Sequence, residues 1–390
     1  MSWEKVKLGD VTDSCLGKML DQAKNKGEYQ PYLANVDVRW GSFNLDNLSE
    51  MRFEDDEQDR YGLKYGDLVI CEGGEPGRCA IWKDQIPNMK IQKALHRVRV
   101  HECLDNRYLY YWFLLAGKTG ALEQYFTGAT IKHMPGQKLK SVLIDIPPIE
   151  VQHRIADILW VYDDLIENNQ KQIKLLEEAA QRLYKEWFVD LRFPGHETTP
   201  ITDGIPEGWY TRTLTEIADV IMGQSPKSEF YNQDRKGLPF HQGVGSYGTR
   251  FVIDNTYSTS FTRIAEAGSI LFSVRAPVGR LNMTKNKVVI GRGLAAINHR
   301  AGMQSYLFYL LKERFFKDDI IGNGAIFASI SKDELLGQKF TVPSYDLVAR
   351  FNTIVSDIDK KIAGLADQIT LLTEARDRLL PKLMNGEIEV

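Results

Sequence analysis

The chain has 390 residues, 43% hydrophobic and 26% charged, a composition that suits a globular protein with room for two ordinary cores. No apolar run is long enough to span a bilayer, and Met1-Ser-Trp-Glu-Lys lacks a signal-peptide pattern, so a cytoplasmic location with no membrane partner is expected. Cys15, Cys71, Cys79 and Cys103 form no close pair, which speaks against zinc or a disulfide framework and predicts buried free thiols.

In chain order, residues 1–148 read as a mixed domain. A short helix is expected near Leu8, strands at Leu68 to Cys71, Ala80 to Trp82 and Leu95 to Val100, and a Tyr- and Trp-rich helix from Asn106 to Leu115. A strand from Val142 to Ile146 ends at Pro147-Pro148, whose fixed backbone angle suits a helix start. Residues 149–190 then form a long amphipathic helix whose apolar seam holds Ile155, Ile158, Leu159, Tyr162, Leu165, Ile166, Ile173, Leu176, Ala180 and Leu183. The stretch from Phe193 to Gly208, with three prolines and three glycines, marks a linker at residues 191–207. A second mixed domain, 208–343, leads to a second long helix and tail at 344–390, with Phe351, Ile354, Val355, Ile358, Ile362, Leu365, Ile369, Leu372 and Leu379 on its seam; Pro381 is expected to disturb this helix and Asn385-Gly386 to end it.

The two halves repeat one another. At a shift of 196, Ile158 falls on Ile354, Asp163 on Asp359, Glu178 on Glu374 and Leu183 on Leu379; Gly128-Ala129 falls on Gly324-Ala325. Gly17 matches Gly223 at 206, Gly66-Asp67-Leu68 matches Gly268-Ser269-Ile270 at 202, and Gly77-Arg78 matches Gly279-Arg280. A drifting offset means one scaffold with loops of different length, hence two related binding tasks. The expected fold class is mixed α/β (α+β): two pseudo-symmetric globular domains separated by two long antiparallel coiled-coil-like helices, each reaching roughly 55 Å at about 1.5 Å per residue.

The net charge of −3 divides unevenly. Residues 150–190 hold nine acids and five bases and residues 346–390 eight and six, leaving the rest of the chain at +3. Ala267 to Lys312 contains seven basic residues and no acid, Gln85 to His101 contains four and none, and Gln124 to Ile144 supplies Lys132, Lys138 and Lys140. Such stripes are what phosphate neutralisation requires. Candidate contacts to double-stranded DNA are Arg78, Lys90, Gln92, Lys93, Arg97, Lys132, Gln242, Arg275, Arg280, Arg292, Asn298 and Lys332. Of these, Gln92, Arg97, Gln242, Arg275, Arg292 and Asn298 are the candidate base readers, since Arg pairs with guanine and Asn or Gln with adenine. Solvated surface is the ordinary fate of Lys and Arg, but acids are missing at matching places in both halves.

The sequence closely resembles the specificity subunit of a Type I restriction-modification system. The resemblance rests on Gly66-Asp-Leu-Val and Gly268-Ser-Ile-Leu, on Pro76-Gly and Pro277-Val-Gly, on Ile146-Pro-Pro-Ile-Glu-Val-Gln-His-Arg-Ile, on Leu183-Tyr-Lys-Glu-Trp-Phe-Val-Asp, on Pro206-Glu-Gly-Trp and on Leu379-Leu-Pro-Lys-Leu-Met-Asn-Gly-Glu-Ile. It implies two target-recognition domains that each read part of a split DNA site, and helices that act as spacer and as docking surface for two methyltransferase subunits. It implies restriction or motor subunits as further partners, and a role in DNA methylation and phage defence. S-adenosylmethionine would be bound by the methyltransferase partners and no cofactor by this chain. The second long helix departs from the pattern, opening with Pro343-Ser-Tyr-Asp-Leu-Val-Ala-Arg-Phe.

Motifs for chemistry within the chain are missing. Asp145-Ile-Pro-Pro-Ile lacks the aromatic of an adenine-methyltransferase loop, Gly322-Asn-Gly-Ala and Gly291-Arg-Gly-Leu lack a third glycine, and no phosphate-binding Gly-Lys-Ser/Thr loop is present. The seven histidines are scattered, with no pair at metal-ligand spacing. The expectation is a non-catalytic DNA-recognition subunit. The alternative is a coiled-coil scaffold or adaptor without DNA readout, and a self-contained methyltransferase or nuclease comes third.

Overall fold

A computed structural model describes residues 3–21, 23, 25–315 and 329–390. The chain forms two compact units, Met1–Asn169 with Gln368–Val390, and Gln170–Asp367. The repeated Gly324-Ala325 and the Gly322-Asn-Gly-Ala segment lie outside the described residues.

The first unit is built on a four-stranded antiparallel sheet in the order Thr12–Leu16, Leu95–Val100, Leu68–Cys71, Cys79–Ile81. Helix α1, Asn106–Thr119, packs Tyr108, Leu109, Tyr111, Phe113 and Leu114 into the core beneath it. It starts where the Asp105 carboxylate accepts the amides of Arg107 at 2.8 Å and Tyr108 at 2.9 Å, and it ends on Gly120 at φ 74°. Glu4–Lys7 pairs with Leu143–Ile146, and Glu28–Leu33 runs parallel to Lys90–Ile91.

The second unit repeats this plan element by element. Its sheet runs Ala218–Met222, Leu294–His299, Ile270–Ser273, Leu281–Met283, and Tyr210–Thr213 pairs with Lys339–Val342. Leu238–His241 lies parallel to Val288–Ile290. The repeated glycines have a shared reason. A Cβ on Gly17 would fall 2.4 Å from the Gln92 carbonyl oxygen, and one on Gly223 would fall 2.1 Å from that of Gly291, so only glycine lets the strand end approach the facing turn.

The long helices α2, Ile149–Phe188, and α4, Tyr345–Met384, stand where the seam spacing predicts them, and α3 is the Gln304–Phe315 counterpart of α1. Each long helix is shared between the units rather than standing apart. In the first, Asp163 bonds Arg376 and the Asn169 amide donates to Gln368 at 3.2 Å, an antiparallel register. In the second, Phe351 of α4 is fully buried among Phe188, Tyr184 and Trp187, with ring centroids 5.0, 5.8 and 5.9 Å away. α4 starts without the Glu-Val-Gln motif, its first turn closed by the Val348 amide on the Ser344 carbonyl as that of α2 is by Gln152 on Pro148. It runs through Pro381 to Met384, contrary to the expected disturbance; Pro381 forfeits one amide bond near the helix end, and Leu380, Leu383 and Met384 are buried in the core of the first unit.

The thiols differ from expectation at one end of the range. Cys71 and Cys79 are buried, Cys15 is half-buried, and Cys103 is exposed.

Candidate nucleic-acid interface

At one end of each sheet a set of loops is gathered by the same hydrogen bonds. In the first unit Gly17 donates to Leu95 O at 2.9 Å, Lys18 to Ile91 O at 3.1 Å, Glu72 to Ala94 O at 2.8 Å and Met134 to Glu72 O at 2.7 Å. In the second, Gly223 donates to Leu294 O at 2.9 Å, Gln224 to Ile290 O at 3.0 Å, Val274 to Gly293 O at 2.9 Å and Ile330 to Val274 O at 3.0 Å. The hairpins after Cys71 and Ser273 are also clasped alike, Gly73 bridging His133 and Arg275 bridging Ser329.

These loops bring together Gln92, Lys93 and Lys132 in the first unit and Gln242, Arg275 and Arg292 in the second. Lys93, Lys132, Gln242, Arg275 and Arg292 are exposed and Gln92 is half-buried; among the described residues their side chains carry no hydrogen bond or ion pair. Lys332, also exposed, begins the short helix Lys332–Leu336 just beyond Ile330, behind the Ser331 cap. Unspent cations and amides on loop tips can meet phosphates and base edges without breaking any bond of the fold.

Other candidates are committed inside the protein, and for these the sequence reading is corrected. Arg97 is 8% exposed and donates to the carbonyls of Asp59 at 2.6 Å and Gly62 at 3.3 Å. Lys90 is 3% exposed, donates to Asn88 O at 3.0 Å, and has its ammonium pKa pushed down by burial. Arg78 is spent on Glu75 at 3.0 Å and on Asn35 O and Oδ1 at 3.1 Å, bracing its hairpin. Its counterpart Arg280 is half-buried, with its amide held by Ser273 Oγ at 2.8 Å. Asn298 is half-buried away from the loop end, pairs with Asp219 in the sheet, and accepts from Gln304 at 3.4 Å.

Sequence reading missed Asn35, Gln224, Ser225 and His241. Gln224 and Ser225 follow a repeated glycine, which marked the turn without marking its neighbours. Ser225 Oγ accepts the Arg292 amide at 3.2 Å. His241, 1% exposed, bonds Ser246 Oγ at 2.9 Å and Asp254 Oδ1 at 3.0 Å. Among the described residues no three His, Cys, Asp or Glu side chains cluster as a metal site requires, and no helix is long and apolar enough to cross a membrane.

The type I restriction modification DNA specificity domain matches residues 1–178 and 206–373, one copy per half of the repeat. MjaX of Methanocaldococcus jannaschii, provisionally named a type I restriction enzyme specificity subunit, is 33% identical over 258 residues, 65% of this chain; the chain spans 61% of that protein's length. The MjaIX specificity subunit of the same organism is 29% identical over 341 residues, 83% of this chain and 78% of its own. A crystal structure of the type I restriction-modification S subunit from M. genitalium shares the fold at a TM-score of 0.57 and 19% identity, covering 98% of this chain and 96% of that one. With both halves matched and the duplicated fold in place, the chain belongs to the type I restriction-modification DNA specificity family.

Proposed function

We propose that this chain is the sequence-reading subunit of a cytoplasmic Type I complex, that each loop end reads one half of a bipartite DNA target, and that the chain carries no catalytic centre of its own. The observation that supports this best is the pair of matched loop ends, built by identical main-chain bonds and decorated with different polar residues: Gln92, Lys93 and Lys132 against Gln242, Arg275 and Arg292. A common scaffold with unlike tips is what reading two different half-sites with one geometry requires.

The long helices support the reading of the partners. Ile158 and Leu175 of α2 are 38% and 64% exposed, and their equivalents Ile354 and Leu371 of α4 are 43% and 65% exposed. Large apolar side chains held in solvent at duplicated positions suit two copies of one partner, the methyltransferase subunits, with restriction or motor subunits joining the assembled complex. S-adenosylmethionine and methyl transfer belong to those partners.

The test is a salt titration of duplex binding by the full chain with its methyltransferase partners, followed by exchange of residues 208–343 for those of a relative. Binding should weaken steeply with salt, and the exchange should alter one half of the methylated site. Salt-insensitive binding that ignores sequence would favour a scaffold, and methyl transfer by the purified chain alone would overturn the non-catalytic assignment.

A further inference from the structure

In the second unit the exposed Gln242 and Arg292 come from segments far apart in sequence, yet their backbones are locked together. A Cβ on Gly291 would lie 3.0 Å from Gln242 Cα, and one on Gly293 would lie 2.4 Å from Gln242 O. The two glycines that flank Arg292 therefore exist to let Gln242 lie against the turn, and Gly291 N donates to His241 O at 2.8 Å to fix the register. From the other side, the Arg292 amide is held by Ser225 Oγ.

Directly behind Gln242, His241 has its side chain fully buried and both ring nitrogens engaged, one by Ser246 Oγ at 2.9 Å and one by Asp254 Oδ1 at 3.0 Å. Ser246 and Asp254 belong to the loop that returns the chain after Gln242, and Ser246 Oγ also reaches the Gly243 carbonyl at 3.2 Å. The imidazole thus pins both ends of the 242–254 excursion to the strand Leu238–His241. The first unit has no such histidine: Leu33 stands where His241 does, its carbonyl accepting the Gln92 amide, and Asn35 with Arg78 braces the hairpin instead.

We infer that Gln242 and the Gly291-Arg292-Gly293 turn form a single base-reading subsite for the second half of the DNA target, and that buried His241, through Ser246 and Asp254, is a positioning residue for it. The inference rests on the proposed DNA-reading function and goes further by naming which side chains read. A major-groove edge offering guanine O6 and N7 beside adenine N6 and N7 matches an arginine fork next to a glutamine amide. Side chains on a loop tip discriminate bases only if the backbone beneath them is fixed, which is what the histidine clasp and the glycine contacts supply.

The experiment uses the chain assembled with its methyltransferase partners and a duplex oligonucleotide library randomised across the methylated site, read by sequencing the methylated fraction. Arg292→Ala and Gln242→Ala should each relax preference at one or two adjacent positions of one half-site by roughly ten- to hundredfold, the worth of a bidentate base contact. Asp254→Ala and Ser246→Ala should relax those same positions, Asp254→Asn should restore them because its amide oxygen still accepts from the imidazole, and His241→Ala should act like Asp254→Ala. A merely structural histidine would lower total methylation evenly and leave the preference profile unchanged, which would overturn its positioning role. If Arg292→Ala and Gln242→Ala leave the profile unchanged while exchange of the whole domain alters it, the subsite is wrongly assigned. If the exchange also changes nothing, the DNA-reading function itself fails.

Discussion

Arg250 offers a quantitative test of how the second unit is joined to its long helices. Its side chain is 2% exposed, its Nη2 lies 2.7 Å from Asp359 Oδ1 on α4, its Nη1 lies 3.8 Å from Glu177 Oε1 on α2, and its guanidinium sits 3.4 Å from the centroid of Phe308 on α3. One buried cation therefore serves two carboxylates and an aromatic face. Arg250→Met keeps most of the volume and removes the charge. Breaking a buried pair from one side costs about 3–5 kcal/mol, because the partner charge stays behind without its counter-ion. The companion Arg250→Met/Asp359→Leu removes both charges of the shorter pair and should recover much of the loss, since an apolar replacement of a buried ion pair is often near neutral.

The loss should also depend on pH with a defined sign. Burial raises the Glu177 carboxyl above its ordinary value, and Arg250 is the strongest influence pulling it down. A carboxyl with a raised folded pKa contributes stability that is fully present below its unfolded pKa and is lost as pH rises through the folded one. Without Arg250 the raise grows, so the deficit of Arg250→Met relative to the parent should shrink as pH falls from neutrality toward about 4.3, the unfolded glutamate value. Urea unfolding at several pH values measures both effects, with hydrogen exchange of amides 304–315 reporting on α3. A deficit below about 1 kcal/mol, or one that grows on acidification, would refute the assignment of Arg250 as the joint.

Three further outcomes are expected. Thiol titration of the folded chain near pH 8 should modify Cys103 first and leave Cys71 and Cys79 protected until urea is added, because Cys103 is exposed while burial pushes Cys71 up to about 11 and Cys79 well above its ordinary value; rapid native labelling of all four would contradict this packing. Arg97→Met should lower stability by about 1–3 kcal/mol, since it strips donors from the buried carbonyl of Gly62 and the partly buried one of Asp59, and should leave the methylated sequence unchanged; an altered target would return Arg97 to the readers. Inserting a seam-preserving heptad into each of α2 and α4 adds about 10 Å of helix and should widen the undefined spacer of the target by about three base pairs with both half-sites kept; an active variant with the old spacer would leave the helices as a docking surface only.

The scaffold was legible wherever a local rule demanded a particular residue. The seams of α2 and α4 are visible because a helix buries every third or fourth side chain, and Gly17 and Gly223 are visible because a backbone approach admits no Cβ. Which candidate side chains are engaged within the fold was not legible, and the reason is physical. Acid-free windows measure charge along the chain, whereas charge is neutralised across it. Arg99, inside such a window, meets Asp67 through two 2.7 Å bonds, and Arg97 is spent on carbonyls 35 and 38 residues away. Residues on paired strands face fixed neighbours, so their polar groups are absorbed by the fold. Those on turns between strands, such as Lys93 after Gln92 and Arg292 between its glycines, have no partner supplied by the ladder. Position alone does not separate the two groups, since Arg78 sits in a hairpin turn and is still spent on Glu75 and Asn35, whereas Lys93 and Arg292 carry no side-chain bond among the described residues. His241 escaped detection for the complementary reason, since nothing local marks a histidine whose partners lie 5 and 13 residues on and whose contribution is the shape of the loop it holds.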